Sequence, residues 1–254
     1  MTLLAVERIK LFTTRSPLWC TLAAIVVTVG FAALVTGTVK DQPVTLAMTQ
    51  FGVNLGLMIV MVMAALAITT EYRFGTIRAT FQAIPNRTST LLAKTTVVAL
   101  FAGLVGEVVA FGAAAIGMLV KPSADLSINT AFEWRAIAGV GLVYGLAAVI
   151  SVAVGTLIRH SAGAVSLTLI YVLLVENLVG LIPSVGVDIQ KWMPFQMANM
   201  FLAGDPDPSN MTGGQDGPPP ATAGLGPWGA LAYFAGFAVV MLVIALFTAN
   251  KRDA

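Results

Sequence analysis

Long apolar runs separated by short polar stretches set the pattern of this chain. Six runs stand out, at about Leu18 to Val39, Thr49 to Thr70, Thr96 to Val120, Trp134 to Leu157, Gly163 to Ile182 and Trp228 to Thr248. Each can cross about 30 Å of hydrocarbon as a helix. Strands fit poorly, because the runs lack two-residue alternation and exceed the length of a barrel strand. The fifth run is unlike the others. Gly163, Gly180 and Pro183 bracket it and Glu176-Asn177 interrupts it, so its outer end is expected to kink or re-enter the membrane. The fold class that follows is an all-α integral membrane protein, one transmembrane domain of six helices over residues 1–254.

Two polar stretches carry helical patterns of their own. In residues 2–16, TLLAVERIKLFTTRS, Ala5, Val6, Ile9, Phe12 and Thr13 share one side, while Glu7, Arg8, Lys10 and Arg15 fan over the other. This predicts a helix lying along the membrane interface and ending at Ser16-Pro17, since the residue before a proline is pushed out of the α region. In residues 71–94, Glu71 closes the second run; Tyr72, Thr76, Ile77 and Phe81 then alternate with Arg73, Arg78 and Gln82 until Pro85-Asn86 breaks the pattern. A short surface helix is expected there, resting on lipid or docked into a partner through its arginines. Residues 183–227 form the longest polar segment. Its first part, VDIQKWMPFQMANMFLAG, predicts an interfacial helix on the outer surface; its second, rich in Pro, Gly and acid, predicts little fixed structure.

Composition and charge sharpen this picture. Of 254 residues 57% are hydrophobic and 10% charged, against about 25% charged in an ordinary soluble domain. Arg73, Arg78, Arg87 and Lys94 against Glu71 give the 71–94 loop a net charge of +3. Placing that loop and both termini inside puts Arg8, Lys10, Arg15, these four, Arg159, Lys251 and Arg252 in the cytoplasm, and leaves only Lys40, Lys121, Arg135 and Lys191 outside. That is the asymmetry expected of a multi-pass protein of the cell membrane. The basic residues are sorted by topology and form no nucleic-acid surface. Cys20, the single cysteine, allows no intrachain disulfide.

Catalytic motifs are missing. The chain holds no HExxH, GxSxG, CxxC or phosphate-binding glycine loop, and one histidine, His160, so neither a catalytic residue nor a bound metal is expected. Glu107 and Glu176 do lie at membrane depth. Such acids face a bundle interior, a water-filled cavity or a partner. Two roles stay open for them, handling of substrate or protons and hydrogen-bonded packing, with Asn177 a ready polar neighbour for Glu176.

The pieces ERIKLFTTRSPLW before the first run and ITTEYRFGTIRATFQAIPNRTSTLLAKT after the second, with the six-span layout and a long loop before the last span, resemble the membrane permease subunits of type-2 ABC exporters of the actinobacterial style. The resemblance implies an elbow helix carrying Glu7, Arg8, Lys10 and Arg15. It implies a coupling helix at Glu71, Tyr72, Arg73, Gly75, Thr76, Ile77, Arg78, Phe81 and Pro85, and re-entrant outer helices after the fifth span. It also implies two separate ATPase subunits holding ATP and magnesium, no cofactor in this chain, and a second permease copy beside it in the lipid. The implied function is export of a small amphipathic or lipid-like molecule or drug by alternating access. Three other classes remain open: a non-transporting scaffold or immunity-type protein, a secondary transporter driven by an ion gradient, and an intramembrane enzyme using Glu107 or Glu176.

Overall fold

The computed structural model describes residues 3–39, 43–84, 86–204 and 225–251. Among these the regular elements are helices: α1 (Leu3–Thr13), α2 (Arg15–Thr38), α3 (Leu46–Thr49), α4 (Val53–Arg73), α5 (Thr76–Ala83), α6 (Arg87–Val120), α7 (Ala131–Ile158), α8 (Ser161–Ile170), α9 (Glu176–Val179), α10 (Gly186–Gln190), α11 (Pro194–Ala203) and α12 (Pro227–Lys251). A π-helical stretch, Tyr171–Val175, joins α8 to α9. Six stretches are long and apolar enough to cross a membrane, the number expected from the apolar runs: Arg15–Thr38, Leu46–Arg73, Arg87–Val120, Ala131–Ile158, Ser161–Val179 and Pro227–Lys251.

Helix ends depart from the apolar boundaries for local reasons. The α1–α2 break falls at Thr14, with φ −89° and ψ 144°, and not at Ser16-Pro17. Pro17 sits instead in the first turn of α2, where a missing N–H leaves no intrahelical bond unmade. Helix α6 starts at Arg87, well before the apolar run begins, and its 34 residues extend about 51 Å. Its first turns therefore project beyond the hydrocarbon. At the other side Thr130-Ala-Phe-Glu133 closes a capping box on α7: the Glu133 N–H donates to Thr130 Oγ1 at 3.2 Å and the Thr130 N–H to Glu133 Oε2 at 2.8 Å.

Helix α7 is the post of the bundle, lying against α4, α6, α8, α11 and α12. Its seam with α6 is built from glycine. A Cβ at Gly103 would stand 3.1 Å from the Gly141 carbonyl oxygen, one at Gly145 3.2 Å from that of Ala99, and one at Gly106 2.8 Å from the Tyr144 ring. Close backbone approach of this kind supplies the dispersion contacts that hold helices together in lipid. Tyr144 is fully buried, and its hydroxyl donates to the Val53 carbonyl at 2.6 Å, tying α7 to the start of α4. A buried phenol without such a partner would be destabilising.

At the end away from α5, helix α11 is part of the bundle. Phe195 packs edge-on to Phe234 at 5.4 Å and Phe201 to Trp228 at 5.4 Å, so α11 runs antiparallel to the start of α12. Phe195 therefore lies about 9 Å farther than Phe201 from the start of α12, six residues of helix. Phe195, Met197, Ala198 and Phe201 are buried against α7 and α12. The expectation of a helix resting on the outer surface is corrected: its apolar face meets protein. The acid- and proline-rich part expected to be unstructured, residues 205–224, lies outside the described residues, as do Pro85 and Arg252.

The glycine seam makes a prediction. Gly106→Leu must push α6 from α7 and should cost about 1–3 kcal/mol, read as a lowered unfolding temperature in detergent. Gly236→Leu, at a position with nothing within 4 Å of an added Cβ, should leave that temperature unchanged.

Candidate functional site

The turn between α4 and α5 is set by Gly75, whose φ of +70° is left-handed. The Phe74 N–H closes back on Thr70 O at 2.9 Å and the Gly75 N–H on Tyr72 O at 3.3 Å. A side chain at a left-handed residue is strained, which is why glycine serves there. At the far end Ile84 is extended, as a residue preceding proline in the chain should be, and Asn86 caps α6 by accepting from the Ser89 N–H at 3.1 Å. Between these stops α5 shows two faces. Ile77 is buried and Phe81 half-buried, while Arg73, Gly75, Thr76, Arg78 and Gln82 are exposed. Phe81 turns inward beneath the Arg87 guanidinium, 5.5 Å from its ring centroid. The large aromatic that stands outward is Phe74, 71% exposed, which the alternation pattern passed over because it sits in the turn.

Beneath α5 lies a cluster of four charges, two of them buried. Glu7 and Lys94 are 3% and 4% exposed. Lys94 donates to Glu7 Oε2 at 2.5 Å and to Glu71 Oε1 at 2.9 Å. Lys10 pairs with Glu7 Oε1 at 2.8 Å and with Glu71 Oε1 at 3.3 Å, and donates to Thr80 Oγ1 at 3.2 Å. Each lysine bridges the same two acids, so the cluster is neutral and joins α1, α4, α5 and α6. Burial pulls the Lys10 ammonium down, but its bond to Glu7 and the charge of Glu71 outweigh that and raise it above the ordinary lysine value. The support Lys10 gives is thus full below pH 10.5 and fades only as pH rises through the raised value. Glu7 was expected on the polar outer side of α1; it points inward instead, because Lys94 is there to meet it. Ile9 and Phe12 face outward, as a lipid-bound side chain should, whereas Arg8 and Arg15 are exposed without joining the cluster.

Neighbouring contacts carry the same end onward. Arg87 donates to the Ala249 carbonyl at 3.2 Å, and Asn250 to Thr88 Oγ1 at 2.9 Å, binding the last turn of α12 to the first of α6. Arg159, in the α7–α8 turn, is left-handed at φ 58° and lies over the half-buried Tyr72 ring at 5.2 Å. His160 caps α8, its Nδ1 accepting from the Gly163 N–H at 3.2 Å.

The two membrane-depth acids have different surroundings. Glu176, 1% exposed, accepts from the N–H groups of Phe195 at 3.0 Å and Gln196 at 3.1 Å. These are orphan donors of α11's first turn, where the helix dipole also favours an anion. Arg135 donates to the Gly204 carbonyl at the opposite end. So α11 is held between a carboxylate from α9 and a guanidinium from α7. Asn177 does not pair with Glu176; its amide donates to Leu173 O at 2.9 Å, beside the π-helical stretch. Glu107 lies over Gly141, where an added Cβ would fall 2.2 Å from its Oε1.

Two predictions follow from these contacts. Lys94→Met leaves two acids facing one lysine and should destabilise the chain by about 3–5 kcal/mol; Glu7→Leu added to it restores a neutral pair and should recover most of the loss, measured as unfolding temperature in detergent. Glu176→Leu strands the buried Phe195 N–H at about 1–3 kcal/mol and the half-buried Gln196 N–H at less, and should expose α11 to proteolysis, with Glu176→Gln intermediate.

A comparison with curated proteins returns no match. The family model described as ABC-2 family transporter protein matches residues 3–175, from the first residue of α1 through the last residue of the π-helical stretch. That match covers more than half of the 254 residues, and it takes in the charge cluster and α5: the chain belongs to the ABC-2 transporter family.

Proposed function

We propose that the chain is the permease subunit of an ATP-driven exporter, and that α5 is the coupling helix gripped by a separate ATPase. The observation that carries this reading is the mounting of α5: its exposed Arg78 and Gln82, with Arg73 and Phe74 exposed at the turn before it, stand on an ion cluster with a buried centre and on α6. A helix meant only to float on lipid has no need of that foundation. In this reading both termini are cytoplasmic, α1 is the elbow helix, and α9 to α11 form the re-entrant outer segment. ATP and magnesium belong to two partner subunits, and a second copy of this chain completes the path.

The mechanism is alternating access. ATP binding shifts the permease only as far as the loaded partner binds the two conformations differently. Force on α5 reaches α1 through Lys10 and Thr80, and α6 with α12 through Phe81, Arg87 and Ala249. Family membership and the apolar bundle support a small amphipathic or lipid-like cargo, or a drug.

The test uses the tagged chain purified from its native membrane with the ATP hydrolysis that accompanies it. Phe74→Ala with Arg78→Glu should lower that hydrolysis and the retained ATPase by about thirtyfold, as loss of about 2 kcal/mol at an interface hot spot does, without lowering the unfolding temperature. In a Cys20→Ser background, Ala79→Cys should react with a membrane-impermeant maleimide in inside-out vesicles and not in intact cells. Unchanged partner retention, or labelling from the outside, would end the proposal.

A further inference from the structure

The joint between α1 and α2 is hollow. A cleft of about 510 Å³ opens between α1, the start of α2 and the ends of α4 and α6, and a groove of about 410 Å³ adjoins it along α2. Leu11, Thr14 and Pro17 line both. The chemistry changes from one to the other. Charged residues Glu7, Lys10, Glu71, Lys94 and Arg15 line the cleft. Both acids are spent on Lys10 and Lys94, whereas Arg15 has no ion pair or hydrogen bond among the described residues, so the cleft holds one unmatched positive charge. The groove is lined by Phe12, Leu18, Leu22, Ile25 and Phe101, with the Thr21 hydroxyl as a buried oxygen lacking a partner. From Arg15 to Ile25 the helix rises about 15 Å, which is half of the roughly 30 Å hydrocarbon core, the depth of one leaflet.

We propose that this joint binds one anionic phospholipid from the leaflet on the α1 side, its phosphate against Arg15 and an acyl chain in the groove along α2. The length of the groove calls for a chain, and the unmatched charge calls for an anion. A zwitterionic headgroup brings its own cation toward Arg15 and gains less. The occupant shares a wall with the ion cluster under α5, so the lipid composition of that leaflet sets how firmly α1 and α5 are held.

The full chain, purified in dodecyl maltoside, is titrated with dioleoylphosphatidylglycerol or dioleoylphosphatidylcholine, and bound lipid is counted by native mass spectrometry. One phosphatidylglycerol should bind about five- to tenfold more tightly than phosphatidylcholine, the gain of a basic residue facing an anionic headgroup. Arg15→Gln should abolish that preference, and Leu22→Trp, filling the groove, should weaken both lipids. Both side chains are exposed, so neither variant disturbs the core. Equal binding of the two lipids to the unaltered chain, a preference that survives Arg15→Gln, or binding indifferent to Leu22→Trp overturns the proposal. So does competition by glycerol phosphate at equal concentration, which would make this a site for free phosphate. The readout is lipid bound to this chain and not hydrolysis or transport, so the result is independent of the transport reading.

Discussion

Lys94 is the residue on which the α5 end of the molecule depends. Its ammonium sits between Glu7 and Glu71, almost without solvent. Taking such a charge out of water costs several kcal/mol, and the mutual attraction of close pairs repays this only when the geometry is good and every group is met. Here each acid is met by both lysines. The four groups come from α1, the end of α4 and the start of α6, positions far apart in the chain that must arrive together. What the cluster contributes is placement more than net stability: misregistry of one of these helices leaves a charge buried alone.

The opposite end solves a related problem with backbone groups. Helix α11 is short and lies among apolar side chains, so its unpaired N–H and C=O groups have no water to turn to. Glu176 meets the first and Arg135 the second, each with the sign that the helix dipole favours. The two ends of the molecule thus spend their buried charges differently, four on one another and two on the termini of one helix. The glycine seam between α6 and α7 runs between these ends, close enough in backbone contact to act as a stiff member.

Much of this was open to reading from the residues and some was not. Hydropathy gives the six spans because backbone groups in lipid force the chain into whole helices. It does not give where helices stop outside the lipid, so the early start of α6 and the break at Thr14 depend on caps and not on apolarity. The capping box at Thr130 and Glu133 is a local signal present in the sequence but overshadowed by the apolar run behind it. Lys94 looked like one more inside charge, since nothing near it in sequence reveals Glu7. The helical spacing of Ile77 and Phe81 against Arg78 and Gln82 gives the two faces of α5, whereas the outward Phe74 lies in the turn that Gly75 sets, outside the reach of a helical pattern. Helix α11 shows why interfacial helices are hard to tell from buried ones: an apolar face is compatible with lipid or with protein, and only its contacts with α7 and α12 decide.

The mounting of α5 constrains how a push upon it would travel. A helix tied down at one point pivots about it; a helix tied at two moves with what holds it. The Lys10–Thr80 bond ties α5 to α1, and the Phe81–Arg87 contact ties it to α6, whose first turn also holds the end of α12. Gly75 lies between α4 and these ties and is the one position in the turn with a left-handed backbone. On the reading proposed above, displacement of α5 is therefore shared by α1, α6 and α12, while α4 is reached through the turn at Gly75 and through Glu71. Because Glu71 belongs to the ion cluster, α4 cannot lag far behind without exposing or stranding a lysine. The cluster is then what converts a local push into a concerted shift of the helices at this end.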